Sequence, residues 1–268
     1  MPTAKVDDIN IYYEIHGDGE PLLLIMGYGS NSGHWFVIRD RLAAEHRIIL
    51  FDNRGTGRSD KPDIPYTSEM MTGDIVGLLD AIGIGATNVF GVSMGGMIAQ
   101  EFALSYPERL KRLILGCTFC GGPRAIGFTP EATAFLFDPQ RAKLSNEEKA
   151  YSTVPWLWNQ DFIDKNPQAV KRYVATTTGY PTPPHAYICQ ANFMLNFNSF
   201  DRLPQIKAPT LVICGAEDRL IPPENSKILA CRIPDCELVI LENAAHGFIS
   251  DSAEESSKIV LKFLAKAN

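Results

Sequence analysis

A chain of 268 residues that is 45% hydrophobic can bury one large core and is too short for two independent domains. A net charge of -6, a pI near 5.4 and no clustered Lys/Arg stripe argue against nucleic acid as a partner. The opening MPTAKVDDINIYYEIHG lacks the charged start and apolar stretch of a signal peptide, and no apolar run approaches a membrane span, so a soluble, cytoplasmic protein with no membrane partner is expected.

In chain order, a hairpin-like pair at AKVDD and NIYYEI precedes six short apolar runs: PLLLIM, RIILFD, NVFGV, RLILGC, TLVICG and LVILEN. Between them lie GHWFVIRDRLAAE, SEMMTGDIVGLLDAIG, MGGMIAQEFALSYP and NSKILACRI, each able to lay an apolar face on a sheet, and AEESSKIVLKFLAKA closes the chain. This alternation predicts an α/β fold, a mostly parallel sheet of eight strands flanked by helices. From 122 to 203 no run reads as a central strand. That stretch is aromatic and punctuated by Pro155, Pro167 and Pro181 to Pro184, and it is expected to be a helical cap inserted in a core formed by 1–121 and 204–268.

GVSMGG, residues 91–96, follows a predicted strand and opens a predicted helix. A sharp strand-to-helix turn of this kind lifts a serine hydroxyl above the sheet edge, and glycine at 91 and 95 removes the β-carbons that would collide there. Ser93 is therefore the candidate nucleophile, and it needs a base. Of the five histidines, His16, His34 and His46 read as surface or packing residues, and His185 lies in the expected cap with a lesser claim to touch substrate. His246, in NAAHGF just past the last strand, is the one at the carboxyl end of a strand, where an open parallel sheet places its site. Asp218, past the strand end in TLVICGAEDRLIP, is the acid expected to orient it, with Glu217 as runner-up. For the oxyanion, the backbone N–H of Met94 follows the nucleophile, and that of Tyr28 is assigned as the second donor from the loop after PLLLIM. Six cysteines in so long a chain read as structural thiols. Cys117 and Cys120 form a CxxC with no second ligand pair, Cys231 and Cys236 being poorly suited, so neither metal nor organic cofactor is expected.

With these residues in place the chain resembles the α/β-hydrolase superfamily over nearly its whole length: GVSMGG the nucleophile elbow, FDNRGTGRSDKP the DxRGxGxS loop, GAEDRLIP the acid turn and AAHGF the histidine loop. Within it, SMGG, Trp35 and the cap length are similar to 3-oxoadipate enol-lactonases and small carboxylesterases. Met26-Gly27-Tyr28 replaces the His-Gly of many relatives, as enol-lactonases also tend to do. The resemblance implies cleavage of a small-molecule ester or lactone through an acyl-enzyme on Ser93. The DNRGTGRS loop is usually structural in this fold, so Arg54 and Arg58 are set aside as phosphate ligands. Aspartate-nucleophile dehalogenases and epoxide hydrolases do not fit Ser93, and Gly247 after the histidine disfavours carbon–carbon bond hydrolases, which typically carry Trp there. A cofactor-free perhydrolase or acyltransferase shares every motif and stays open, as does a non-catalytic binding relative. Trp156, Trp158, Phe193, Met194 and Phe197 are the candidate substrate contacts, against the alternative that they form the cap's own core.

Overall fold

The structure, a computed structural model, describes residues 2–266. Strands β1 (Thr3–Val6), β2 (Ile9–His16), β3 (Glu20–Ile25), β4 (His46–Phe51), β5 (Thr87–Val92), β6 (Leu110–Gly116), β7 (Thr210–Gly215) and β8 (Cys236–Leu241) form one sheet in the order β1-β2-β4-β3-β5-β6-β7-β8. The pairs β1/β2 and β2/β4 are antiparallel and all others parallel. The eight strands and the parallel sheet expected from the apolar runs are thus present. Alternation within a run decides which face each side chain covers. On β3, Leu23 and Ile25 join one apolar cluster while Leu22 and Leu24 join the other, and Ile49 and Ile48 of β4 divide the same way. Each such side chain, fully buried, contributes roughly 1.5–3 kcal/mol.

Helix α1 (Phe36–Ala43) links β3 to β4, α2 (Ser68–Ala81) links β4 to β5 and α3 (Met94–Ser105) links β5 to β6. The predicted first helix is shorter than its sequence run, because Ser32–Trp35 forms a 3-10 turn with Asn31 as its cap before α1 begins. Between β6 and β7 lie α4 (Pro130–Leu136), α5 (Asn146–Leu157), α6 (Gln160–Lys165), α7 (Pro167–Gly179) and α8 (Pro184–Asn196). Pro167 and Pro184 occupy first-turn positions, where no amide is required, whereas Pro155 falls inside the last turn of α5 instead of ending it. This segment has its own small core of Ala150, Val154, Trp158, Tyr173 and Val174. Helices α9 (Glu224–Arg232), α10 (Phe248–Asp251) and α11 (Ala253–Leu264) complete the layers. No helix among the described residues is long and apolar enough to cross a membrane.

Candidate active site

Ser93 joins β5 to α3 with φ 56° and ψ -124°, a conformation a non-glycine residue holds at a cost of about 1–3 kcal/mol. Its surroundings fix it there: its N–H donates to the Gly116 carbonyl at 2.8 Å, and its carbonyl accepts from the Thr118 hydroxyl at 2.7 Å. A β-carbon at Gly91 would collide with the Gly95 carbonyl, and one at Gly95 with that of Ile25, so no other residue fits either place. The Met94 amide is the first of α3, where helical amides have no partner four residues back.

The loop after β3 passes directly over this elbow. A β-carbon on Gly27 would stand 3.0 Å from that of Ser93. Two clamps hold the loop: Asn53 Nδ2 donates to the Met26 carbonyl at 2.9 Å, and the Gly29 amide donates to Gln190 Oε1 of α8 at 2.8 Å. The Tyr28 amide lies between these anchored neighbours. The phenol of Tyr28 donates to the Tyr187 carbonyl at 3.2 Å, with the two rings edge to face.

His246 and Asp218, 28 residues apart in sequence, meet at 2.7 Å between Nδ1 and Oδ2. The other Asp218 oxygen accepts the amides of Leu220 and Ile221, both at 2.9 Å, so the turn after β7 folds around its own carboxylate. Asp218 is buried, whereas Glu217 is exposed and makes only a backbone bond, its N–H donating to the Ala244 carbonyl. Burial works against a charge on His246, but Asp218 and the Cys117 sulfur beside the ring outweigh it and hold the imidazole well above its ordinary pKa.

Cys117 was not singled out for the site by its sequence position. It follows β6 directly, holds a left-handed φ of 38°, and brings its sulfur within 4.8 Å of ligand atoms of both Asp218 and His246. These three could in principle gather a metal ion, but Nδ1 and both carboxylate oxygens already have partners, and the donor set is spent on the His–Asp pair.

Ser93, Met94, Tyr28, Cys117 and His246 all line one cavity of about 470 Å³, a size suited to a small molecule. Of the five aromatic and sulfur candidates, Trp158 and Met194 line it. Trp156, Phe193 and Phe197 do not. Trp156 stacks behind Phe135 at 4.8 Å between ring centres, and Phe193 and Phe197 pack on each other in the core. His185 is also elsewhere, with Nε2 at 2.9 Å from the Lys61 carbonyl. His34, which reads as a packing residue, lines the cavity against Tyr173, and burial pushes its pKa down to about 4, leaving a neutral ring. Arg54 and Arg58 serve structure: Arg54 grips Asp74 with two 2.6 Å bonds, and Arg58 meets Asp52 and Glu14.

This chain and its architecture have well-defined relatives. The α/β hydrolase fold family matches residues 20–253. A protein of Azorhizobium caulinodans named "Putative carbamate hydrolase RutD" is 32% identical over 265 residues, 98% of each chain. A poly(3-hydroxyalkanoate) depolymerase of Ectopseudomonas oleovorans is 32% identical over 244 residues, 91% of this chain and 84% of its own. Among solved structures, the enol-lactonase of Burkholderia xenovorans LB400 superposes with a TM-score of 0.86 at 26% identity, covering 99% of this chain and all of its own. The chain belongs to the α/β hydrolase fold family.

Proposed function

We propose that the protein is a serine hydrolase that cleaves a carboxylic ester or lactone, with Ser93 as nucleophile, His246 as general base and Asp218 as its orienting acid. The observation that carries this reading is the 2.7 Å His246–Asp218 pair opening on the same cavity as a serine held at a strained strand-to-helix turn. Neutral His246 takes the Ser93 proton as Oγ attacks the carbonyl carbon. The N–H groups of Tyr28 and Met94 receive the developing oxyanion, a single such donor being worth about 2.7–4 kcal/mol. The imidazolium then protonates the leaving oxygen, and water activated by the same ring releases the acid from Ser93. Asp218 stays ionised throughout, its charge shared among His246 and two amides. Residues 122–203 act as the cap that encloses the reaction. The enol-lactonase likeness and the depolymerase likeness both support ester or lactone chemistry.

The decisive test is labelling with a fluorophosphonate. Wild-type protein is expected to take up one equivalent on Ser93 and Ser93→Ala none, while an unmodified wild type overturns the assignment. Product analysis with water, alcohol or peroxide as acceptor then separates hydrolysis from acyl transfer and perhydrolysis.

A further inference from the structure

His34 lies on the wall of the cavity that holds Ser93 and His246 and takes no part in the mechanism above. The turn that carries it is anchored on both sides. Asn31 caps the 3-10 turn Ser32–Trp35, its side chain accepting the Gly33 amide at 2.9 Å, and the Ser32 amide donates to Asp52 of the loop after β4 at 2.7 Å. The residue after His34, Trp35, is fully buried against Phe90. His34 is thus presented to the cavity by a rigid piece of backbone.

The hydrogen bonds around the ring decide which nitrogen carries the proton. Thr177 of α7 has one hydroxyl proton, and its Oγ1 stands 2.9 Å from the Tyr173 carbonyl, a group that only accepts, so the proton is committed there. The 3.3 Å contact between Thr177 Oγ1 and His34 Nε2 is therefore donated by the imidazole. Burial pushes the pKa of the ring down to about 4, so near neutral pH it holds a single proton, and with that proton on Nε2 the Nδ1 atom is a bare lone pair. Nδ1 has no hydrogen-bond partner among the described residues, yet it is not sealed in the interior as the indole nitrogens of Trp35 and Trp158 are. What it opens on is the cavity. The Tyr173 ring, 4.9 Å away between centres, packs against the imidazole and limits its rotation.

We propose that His34 is a specificity-determining residue whose Nδ1 accepts a hydrogen bond from a hydroxyl of the substrate, an inference that rests on the hydrolase reading above. A lone pair in a desolvated wall rewards an O–H and repels an ether, carbonyl or carboxylate oxygen, so this one atom tells a hydroxyl from its methyl ether. A cationic donor fits less well. Of the Asp, Glu, Lys and Arg side chains lining the cavity, Arg141 and Lys149 are positive and Asp138 negative, which leaves no surplus of negative charge to balance an ammonium. The substrate class is therefore an ester or lactone that bears a free hydroxyl on its acyl or alcohol part.

The test uses Ser93→Ala protein, which retains bound esters uncleaved, titrated by calorimetry at pH 7.5 with two series: methyl esters of ω-hydroxyalkanoic acids from butanoic to octanoic, and butyrate monoesters of α,ω-diols, each beside its methyl ether. At the best chain length the hydroxyl compound is expected to bind at least about 10-fold more tightly than its ether. His34→Phe in that background keeps a flat ring against Tyr173 without the lone pair, and should bring the two within about 2-fold. Thr177→Val removes the acceptor that holds the proton on Nε2, so the preference should shrink to a value between these limits. Equal binding of hydroxyl compound and ether in both series, or a preference that survives His34→Phe, overturns the subsite. A preference untouched by Thr177→Val overturns the proton placement on which it rests. These outcomes are distinguishable from failure of the hydrolase reading: fluorophosphonate labelling of Ser93 in the wild type with no hydroxyl preference removes the subsite alone. A hydroxyl preference without labelling or turnover removes the hydrolase and leaves the subsite.

Discussion

At the residue scale the balance on His246 has a kinetic consequence. In the proposed mechanism acylation needs the neutral ring, and Asp218 together with the Cys117 sulfur favours the protonated one against the effect of burial. The rate constant kcat/KM should therefore rise with pH through a pKa above the ordinary value of about 6.5. Asp218→Asn removes the charge that lifts it, so the ascending limb should move to lower pH while the rate falls on the order of 10⁴-fold. A limb that stays in place in this variant would show that another group sets it. Much of this constellation can be traced in the sequence, because each of Ser93, Asp218 and His246 sits a few residues past an apolar strand run, where turn chemistry leaves a recognisable local pattern. Cys117 leaves none. It is hidden by the CxxC it shares with Cys120, which suggests metal or redox chemistry.

At the scale of elements, the loop after β4 is built around buried charge. Arg54 and Asp74 of α2 are 3% and 4% exposed and share two hydrogen bonds. Removing one partner strands the other in the interior, so Asp74→Ala is expected to lower stability by about 3–5 kcal/mol in urea unfolding. Arg54→Met with Asp74→Leu should recover most of that loss, since well-packed apolar pairs often replace a buried ion pair without penalty. A double variant as unstable as the single one would mean that Arg54 serves the fold through its other contacts. The strands were legible because both faces of the sheet are covered and the runs are nearly continuously apolar. The single turn of α10 and the 3-10 turn ahead of α1 were not, because a periodicity argument needs more residues than one turn supplies.

For the whole molecule, composition decides less than placement. Cys117, Cys120, Cys189 and Cys214 are buried, Cys236 is partly covered and Cys231 is exposed. A disulfide-forming reagent such as a nitrobenzoate should meet about one thiol rapidly in the native protein and all six once it is unfolded. Prompt reaction at several sites in the native state would contradict this burial pattern. The same limit explains the aromatic residues of 122–203. Sequence marks them as apolar, but whether Trp156 or Trp158 faces the cavity depends on which side of the chain's end of α5 it leaves, and that is settled by packing against Phe135 and Tyr173. The contacts of this segment have one more consequence. Gln190 and Thr182 hold Gly29 of the loop after β3, while the Leu157 carbonyl accepts the Gly247 amide at 2.7 Å and Asn159 Nδ2 donates to the Asn243 carbonyl. In the mechanism proposed above, these helices and the groups around Ser93 are one mechanical unit: a motion that lifted the helices to admit a substrate would also slacken the loop after β3 and the turn that carries His246, so the site would be set for reaction only while shut.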